Sequence, residues 1–446
     1  MGKYIFSVFV FFSCGVLLAQ EKELQFSMEE AIEYAIKNNY DNKVAVKNVQ
    51  AAKERKWETT TIGLPQINGA LDYQNWLKKQ VSLLPAIIAG GNEGEYIPVE
   101  FTTKHNLGAS ITLSQLIFDG SYLVGLQSAK TYLKISEQAK EKTAISTRLA
   151  VINAYGNVLV TNKSIEILEK NKTVLSKNLF ETQKIYENGL TELENVEQLQ
   201  ITLGTLESNL SNAKRLQKIA YQMLNLSLGN PIQSKIILTD TLENLTIENT
   251  SLNLLSKIFS LENHIDYQIA QNDREGKRLL MRLEQSKALP TLSAFVNYGT
   301  NLATDSFGSE NNNWFDYSLL GVSLNVPIFS SFGRKAKTAR AKIDLDVADI
   351  RLDEIKQQLN LQAETAKSEY QLSIENYQIA KKNLSLAERI EKKQQTKFFE
   401  GLSSSFDLSQ AQNQLYSQQN NYVQSMLNVI SKKAALENAL NLPVKK

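Results

Sequence analysis

The sequence has 446 residues, 42% hydrophobic and 22% charged, with 20 Gly, 7 Pro and 1 Cys, a composition that excludes collagen-like, disulfide-stapled and low-complexity chains. Its 49 Lys and Arg nearly balance 47 Asp and Glu, so no global basic field advertises a nucleic-acid partner. The two histidines, His105 and His264, and the single Cys14 cannot assemble a Cys/His zinc cluster within one chain; no catalytic constellation or phosphate-cradling glycine loop is present, and neither enzymatic activity nor a cofactor is expected.

Lys3 precedes an apolar run from Tyr4 to Leu18, and the chain turns polar at Gln20, Glu21 and Lys22. This reads as a secretory signal peptide over residues 1–20, because the apolar core is too short to span a bilayer and no positive stop-transfer flank follows. A rival reading lipidates Cys14 within Phe12-Ser13-Cys14-Gly15; the missing Leu and the apolar run continuing past Cys14 stand against it. Beyond residue 20 no stretch reaches the roughly 18 apolar residues of a membrane helix. Any membrane span must be made of strands.

A helix is expected over about 27–60, followed by strands within 64–118. Ile67, Leu71 and Tyr73 alternate with Asn68, Asp72 and Gln74, and Leu107, Ala109, Ile111 and Leu113 alternate with Gly108, Ser110, Thr112 and Ser114. Period two with one apolar and one small polar face suits a sheet between lipid and water, or one half-buried in a soluble domain. Residues 99–230 then lack proline and are rich in Ala, Leu, Glu, Lys and Gln, so helices fill most of this tract. Gly189 breaks the tract into a helical hairpin over 120–228, with a long arm to residue 188 of about 100 Å at 1.5 Å per residue. Leu199, Leu203, Leu206, Leu210, Ala213, Leu216 and Ala220 form a narrow coiled-coil seam on the returning arm. Thr191 with Glu194 predicts a capping box after the glycine.

The second half repeats this series: a helix over about 252–287, strands within 290–328, and a proline-free hairpin over 332–441 broken at Gly401. Ala294, Val296 and Tyr298, then Leu320, Val322, Leu324 and Val326, supply the apolar strand face, and Ser404 with Asp407 predicts the second capping box. Aromatics Tyr73, Trp76, Trp314, Phe315 and Tyr317 cluster near strand ends, where an interfacial girdle would lie. A shift of 225 superposes Leu64-Pro65 on Leu289-Pro290 and Tyr73 on Tyr298; a shift of 212 superposes Gly189-Leu190 on Gly401-Leu402 and Pro231 on Pro443. The chain after the signal peptide is therefore read as two repeats, 21–233 and 234–446. The shifts differ by 13 residues, which locates an insertion between Tyr73 and the first long helix.

Four membrane strands per chain cannot close a barrel, because lipid tolerates no open edge and known barrels start at about eight strands. Several chains must share one. Two copies would make eight strands, whose side chains fill the interior, whereas three would make twelve and leave a water path.

Taken together, the signal peptide, the duplicated helix-strand-strand-helix-helix halves, the Gly-Leu hairpin tips, the Leu-Pro strand entries and the segments Ser114–Gly120 and Val326–Phe329 resemble the TolC family of outer-membrane efflux proteins over essentially the whole mature chain. The resemblance implies a mixed α and β membrane protein: a homotrimer whose long coiled-coil α-helical barrel, a periplasmic tunnel, continues into a shared 12-stranded transmembrane β-barrel in outer-membrane lipid. It also implies an exit duct of a tripartite efflux or type I secretion system, fed by an inner-membrane pump through a periplasmic adaptor. In the family the tunnel closes through acidic residues after the second hairpin's glycine. Asp407 falls at the first of these positions; Gln410 falls at the second and departs from it, as do Phe398, in place of a tyrosine, and Ser403, in place of an arginine, of the family's gating network. Asp407 also reads as a helix cap. Gly189, Leu190, Gly401 and Leu402 are the implied adaptor-docking tips; each leucine could equally complete the hydrophobic contact of a helix C-cap. The competing expectation is a structural coiled-coil envelope protein without channel activity, for which amphipathic strands and capped tips would have no use.

Overall fold

The protein is seen in a computed structural model that describes residues 24–308 and 313–442; the signal-peptide reading of 1–20, with Cys14, lies outside the described residues. In chain order, β1 (Leu24–Phe26) leads into helices α1 (Met28–Asn38) and α2 (Tyr40–Thr61). Next come β2 (Gln66–Asn75), the short strands β3 (Val81–Pro85) and β4 (Tyr96–Glu100), and β5 (His105–Asp119). Helices α3 (Gly120–Glu187) and α4 (Leu193–Leu228) form the first hairpin. Then follow β6 (Ile236–Leu238), α5 (Leu242–Glu248), α6 (Ile265–Ser286), β7 (Thr291–Thr304) and β8 (Trp314–Asn325), before α7 (Gly333–Phe399) and α8 (Ser405–Ala439) close the series. The long arms, 68 and 67 residues, and the returning arms lie where proline exclusion and the glycine breaks put them.

The opening helices differ from expectation. The first is two helices, because Asn39 adopts φ −56 and ψ 143 and leaves the helical path. In the second half, residues 252–263 form only 3-10 turns, at Leu252–Leu254 and Leu261–Asn263, and the α-helix starts after His264. Ser256 Oγ bonds the Asn253 carbonyl and Asn263 Nδ2 bonds Ser260 Oγ; such local side-chain bonds compete with the helical ladder.

Two compact units form, each drawing on both halves of the sequence. One takes residues up to Tyr40, Ser146–Ser256 and Lys367–Leu436. Here β1 and β6 pair in parallel, and the Tyr155 hydroxyl, fully buried, donates to the Phe26 carbonyl and to Asp240 Oδ2, both at 3.0 Å. Burial pushes the Tyr155 phenol up, and Asp240 adds to the effect. Tyr370 repeats the device, its hydroxyl donating to the Asn249 and Ser251 carbonyls at 2.7 and 2.9 Å. The seam leucines Leu199, Leu206 and Leu210 are buried, as are Leu408, Ala411 and Leu415; Leu216 is exposed and lies off the seam.

The other unit takes Asp41–Ile145, Lys257–Ala366 and the residues from Glu437 on. It holds an antiparallel four-stranded sheet in the order β2-β5-β7-β8, with β2 and β8 at its edges. Ile67, Leu113, Val296 and Leu320 stand in one row across it, and Tyr73, Leu107, Leu302 and Trp314 in another; residues directly opposite share a face. Asn68, Thr112 and Asn297 share the other face, where Asn297 Nδ2 donates to Thr112 Oγ1 at 2.6 Å. The Phe295 ring lies over Gly321 and the Tyr317 ring over Gly299, bulky groups filling the gaps that the glycines leave. The first inter-strand connection, 76–104, carries the β3–β4 hairpin, whereas the second, 305–313, is short; the larger connection is the one expected to hold the insertion.

Candidate functional site

Each hairpin tip turns at a glycine in the left-handed backbone conformation that residues with a Cβ rarely adopt. Gly189 has φ +72 and Gly401 φ +74. In both, the following leucine amide reaches back six residues inclusive: Leu190 to the Ile185 carbonyl at 3.1 Å, and Leu402 to the Lys397 carbonyl at 2.8 Å. This is the Schellman arrangement, which ends a helix by satisfying its free carbonyls. A hydrophobic contact commonly completes it, yet Leu190 and Leu402 are 78% and 73% exposed. Capping contact therefore does not account for these leucines.

Asp407 closes the expected capping box. Its Oδ2 accepts from the Ser404 amide at 3.2 Å and the Ser404 hydroxyl at 2.8 Å, and Ser404 Oγ in turn accepts from the Asp407 amide at 3.2 Å. The Ser403 hydroxyl adds a third donor at 3.2 Å. Hydrogen bonds from Ser404 hold the Asp407 carboxyl below the usual carboxylate range, so the group is charged at neutral pH; the cap it forms persists above the unfolded carboxylate pKa and is lost as pH falls through the lower folded value. The other box does not form. Helix α4 is capped at Glu192, one residue past Thr191, with no side-chain bond. Asn195 takes over: its Nδ2 donates to Thr191 Oγ1 at 2.9 Å, and its Oδ1 accepts from the Ser405 amide at 3.1 Å. One tip thus satisfies a free amide at the start of the other tip's helix.

Above these turns the hairpins share an apolar cluster of Leu175, Leu199, Leu206 and Leu408, with Phe398 and Tyr416 packed against it. Phe398 is thereby placed in a core, whereas Gln410 is exposed. Polar pairs cross between the hairpins: Asn171 Nδ2 to Gln419 Oε1 at 2.7 Å, Gln395 Nε2 to Asn178 Oδ1 at 2.9 Å, and Thr202 Oγ1 with Ser409 Oγ at 3.1 Å. Burial pushes the Glu391 carboxyl up, and burial with Glu391 as neighbour pushes the Tyr416 phenol up to about 12. Asn195 and these polar pairs were not singled out in the sequence; a seam position occupied by Asn, Gln, Ser or Thr is the signal that could have found them.

Elsewhere, His264 caps α6, its Nδ1 accepting from the Asp266 amide at 3.2 Å, and His105 Nδ1 lies 2.9 Å from the Tyr73 hydroxyl. Among the described residues no group of three or more His, Cys, Asp or Glu could hold a metal ion. None of their helices is long and apolar enough to cross a membrane.

The pattern of the family described as outer membrane efflux protein matches residues 31–230 and 260–442. Outer membrane protein TolC of Vibrio cholerae is 23% identical over 240 residues, 53% of this chain and 54% of that protein, so the chain spans about half the length of the curated relative it matches. The fold is similar to that of the outer membrane protein VceC of Vibrio cholerae, with a TM-score of 0.72, 16% identity and coverage of 93% of this chain and 95% of that one. It is also similar to the CmeC outer membrane channel of Campylobacter jejuni, with a TM-score of 0.73, 15% identity and coverage of 95% and 90%. With the family pattern matched along both hairpins and both strand pairs, the chain belongs to the outer membrane efflux protein family.

Proposed function

We propose that the protein is the outer-membrane exit duct of a tripartite efflux or type I secretion system, a passive conduit for substrates moved by an inner-membrane pump through a periplasmic adaptor. The observation that carries this reading is the sheet: an apolar row such as Ile67, Leu113, Val296 and Leu320 runs across all four strands, with Ile67 72% and Leu320 73% exposed. Burying such a side chain is worth roughly 1.5–3 kcal/mol, so a soluble sheet would not leave the row wet. Lipid on this face, and neighbouring copies on the β2 and β8 edges, remove both penalties. The two repeats, 21–233 and 234–446, contribute two strands each, and three chains close a 12-stranded barrel.

Support from the comparisons is of the same kind, since CmeC is described as an outer membrane channel. A structural coiled-coil envelope protein would use neither the apolar face nor the exposed tip leucines. Mass measurement in detergent is expected to give a trimer, and planar bilayers are expected to show channels. A stable monomer, or a trimer that never conducts, would overturn the reading. Reagent reaching Asn92→Cys in intact cells would support an extracellular first connection; protection until lysis would reverse the orientation.

At the tips, three Asp407 carboxylates would crowd one axis and form a cation-selective gate, while Gly189, Leu190, Gly401 and Leu402 dock the adaptor. Gln410 and Ser403 flank this ring, and Phe398 supports it from the core beneath. Asp407→Asn is expected to raise single-channel conductance and weaken cation preference. Unchanged conductance and selectivity with a slightly lower melting temperature would leave Asp407 as a cap alone.

A further inference from the structure

Where β8 leaves the sheet, the chain passes through an exposed apolar run, Val326, Ile328, Phe329 and Phe332, before α7 starts. Phe329 and Phe332 meet edge to face with centroids 5.9 Å apart. Directly after them the charge changes sharply. Across 277–288 and 334–342, nine Lys and Arg stand against one acidic residue, Glu284. The matching stretches of the first repeat, 52–63 and 122–130, hold four against two. The basic excess therefore belongs to one repeat and is not a general property of these helices.

The excess is organised around an open groove of about 480 Å³ lined by Met281, Ala288 and Ala339, by Arg334, Lys335 and Lys342, and by Glu284. Arg334 Nη2 is already engaged, donating to the Pro327 carbonyl at 2.9 Å and the Ile328 carbonyl at 3.3 Å, and so pins the strand exit. Arg278 and Lys287 pair with Glu275 and Glu284. Among the described residues Lys335, Lys337, Arg340 and Lys342 form no ion pair. Apolar lining beside unpaired ammonium groups, bordering an aromatic and aliphatic stretch, suits an amphiphile with an anionic head, whose acyl chain would lie along Met281 and Ala339 while the lysines meet the phosphate.

We propose that this groove binds an anionic phospholipid of the periplasmic leaflet, at one site per chain. The assignment rests on the reading of the sheet as a membrane-spanning barrel, which puts that stretch at the leaflet boundary and the groove just below it.

The purified full-length assembly in zwitterionic detergent would be titrated with phosphatidylglycerol or phosphatidylethanolamine, and bound lipid counted by native mass spectrometry alongside the thermal midpoint. Wild type is expected to retain phosphatidylglycerol at least fivefold over phosphatidylethanolamine. Lys335→Glu/Lys342→Glu is expected to lose that preference while melting at the wild-type temperature in phosphatidylethanolamine; Lys381→Glu/Lys382→Glu, on the same helix but outside the groove, is expected to keep it. Equal retention of the two lipids by wild type, or a preference that survives the groove variant, would overturn the site. Complete displacement of the lipid by inorganic phosphate would reassign the groove to a free anion. A conducting trimer without lipid preference sinks this inference alone, whereas failure to form conducting trimers sinks the barrel reading first.

Discussion

Leu320→Arg is expected to abolish assembly in the outer membrane. Leu320 lies in mid-strand on β8, opposite Val296 and in the row that reaches Leu113 and Ile67. A guanidinium near the midplane of a barrel's lipid face costs about 2–4 kcal/mol, and each trimer would carry three. The same substitution at Ser323, three residues on and pointing to the opposite face, meets water instead. Ser323→Arg should assemble, insert and shift ion preference toward anions. Membrane fractionation with detergent-resistant trimer as the readout separates the two; equal assembly of both variants would show that the apolar row does not face lipid.

A second large effect is expected at Gly229, and it concerns folding. This residue ends α4 with φ +80, and a Cβ there would collide with the Asn38 carbonyl oxygen and the backbone of Asn39. Asn39 Nδ2 meanwhile donates to the Ser227 carbonyl at 2.9 Å, so the break between α1 and α2 is fitted against this turn. Gly229→Val combines a left-handed β-branched residue with a backbone clash, and the loss should exceed about 3 kcal/mol. Gly204, inside α4 with open space where a Cβ would go, offers the opposite case. Gly204→Ala should stabilise by about 0.5–1 kcal/mol through helix propensity. Chemical denaturation midpoints of the two variants, measured under one detergent condition, check both signs.

The long hairpins and the four strands of the sheet were legible because their signals are extended: proline exclusion over more than a hundred residues, a glycine break and a two-residue alternation each survive local noise. What escaped notice is short or non-local. Strands β1 and β6 have three residues each and pair over a long sequence separation, Leu24 with Ile236, so neither carries a period to read. The β3–β4 hairpin sits in the long connection between β2 and β5, where no alternation longer than five residues can be read. Asn39 breaks a helix for the sake of Gly229, a contact that no window along the sequence contains. At the tips, Gly189 and Gly401 announced themselves, and Ser404 with Asp407 held. Thr191 with Glu194 failed because the helix begins one residue later, at a position where side-chain identity alone could not choose the cap.

That last difference bears on how two similar hairpins divide their labour. Under the shift of 212 that aligns the glycines, Asp407 matches Asn195. The aligned position therefore binds inward in one hairpin, closing its own helix, and outward in the other, where Asn195 reaches across to the Ser405 amide. A neutral amide suits the outward role, since Oδ1 accepts from Ser405 while Nδ2 donates to Thr191, a combination that an ionised carboxylate could not supply. In a trimer, this aligned position would then carry a carboxylate at alternate tips only, so its ring of six would have threefold rather than sixfold electrostatic symmetry. At this one position the first hairpin supplies the brace and the second the carboxylate.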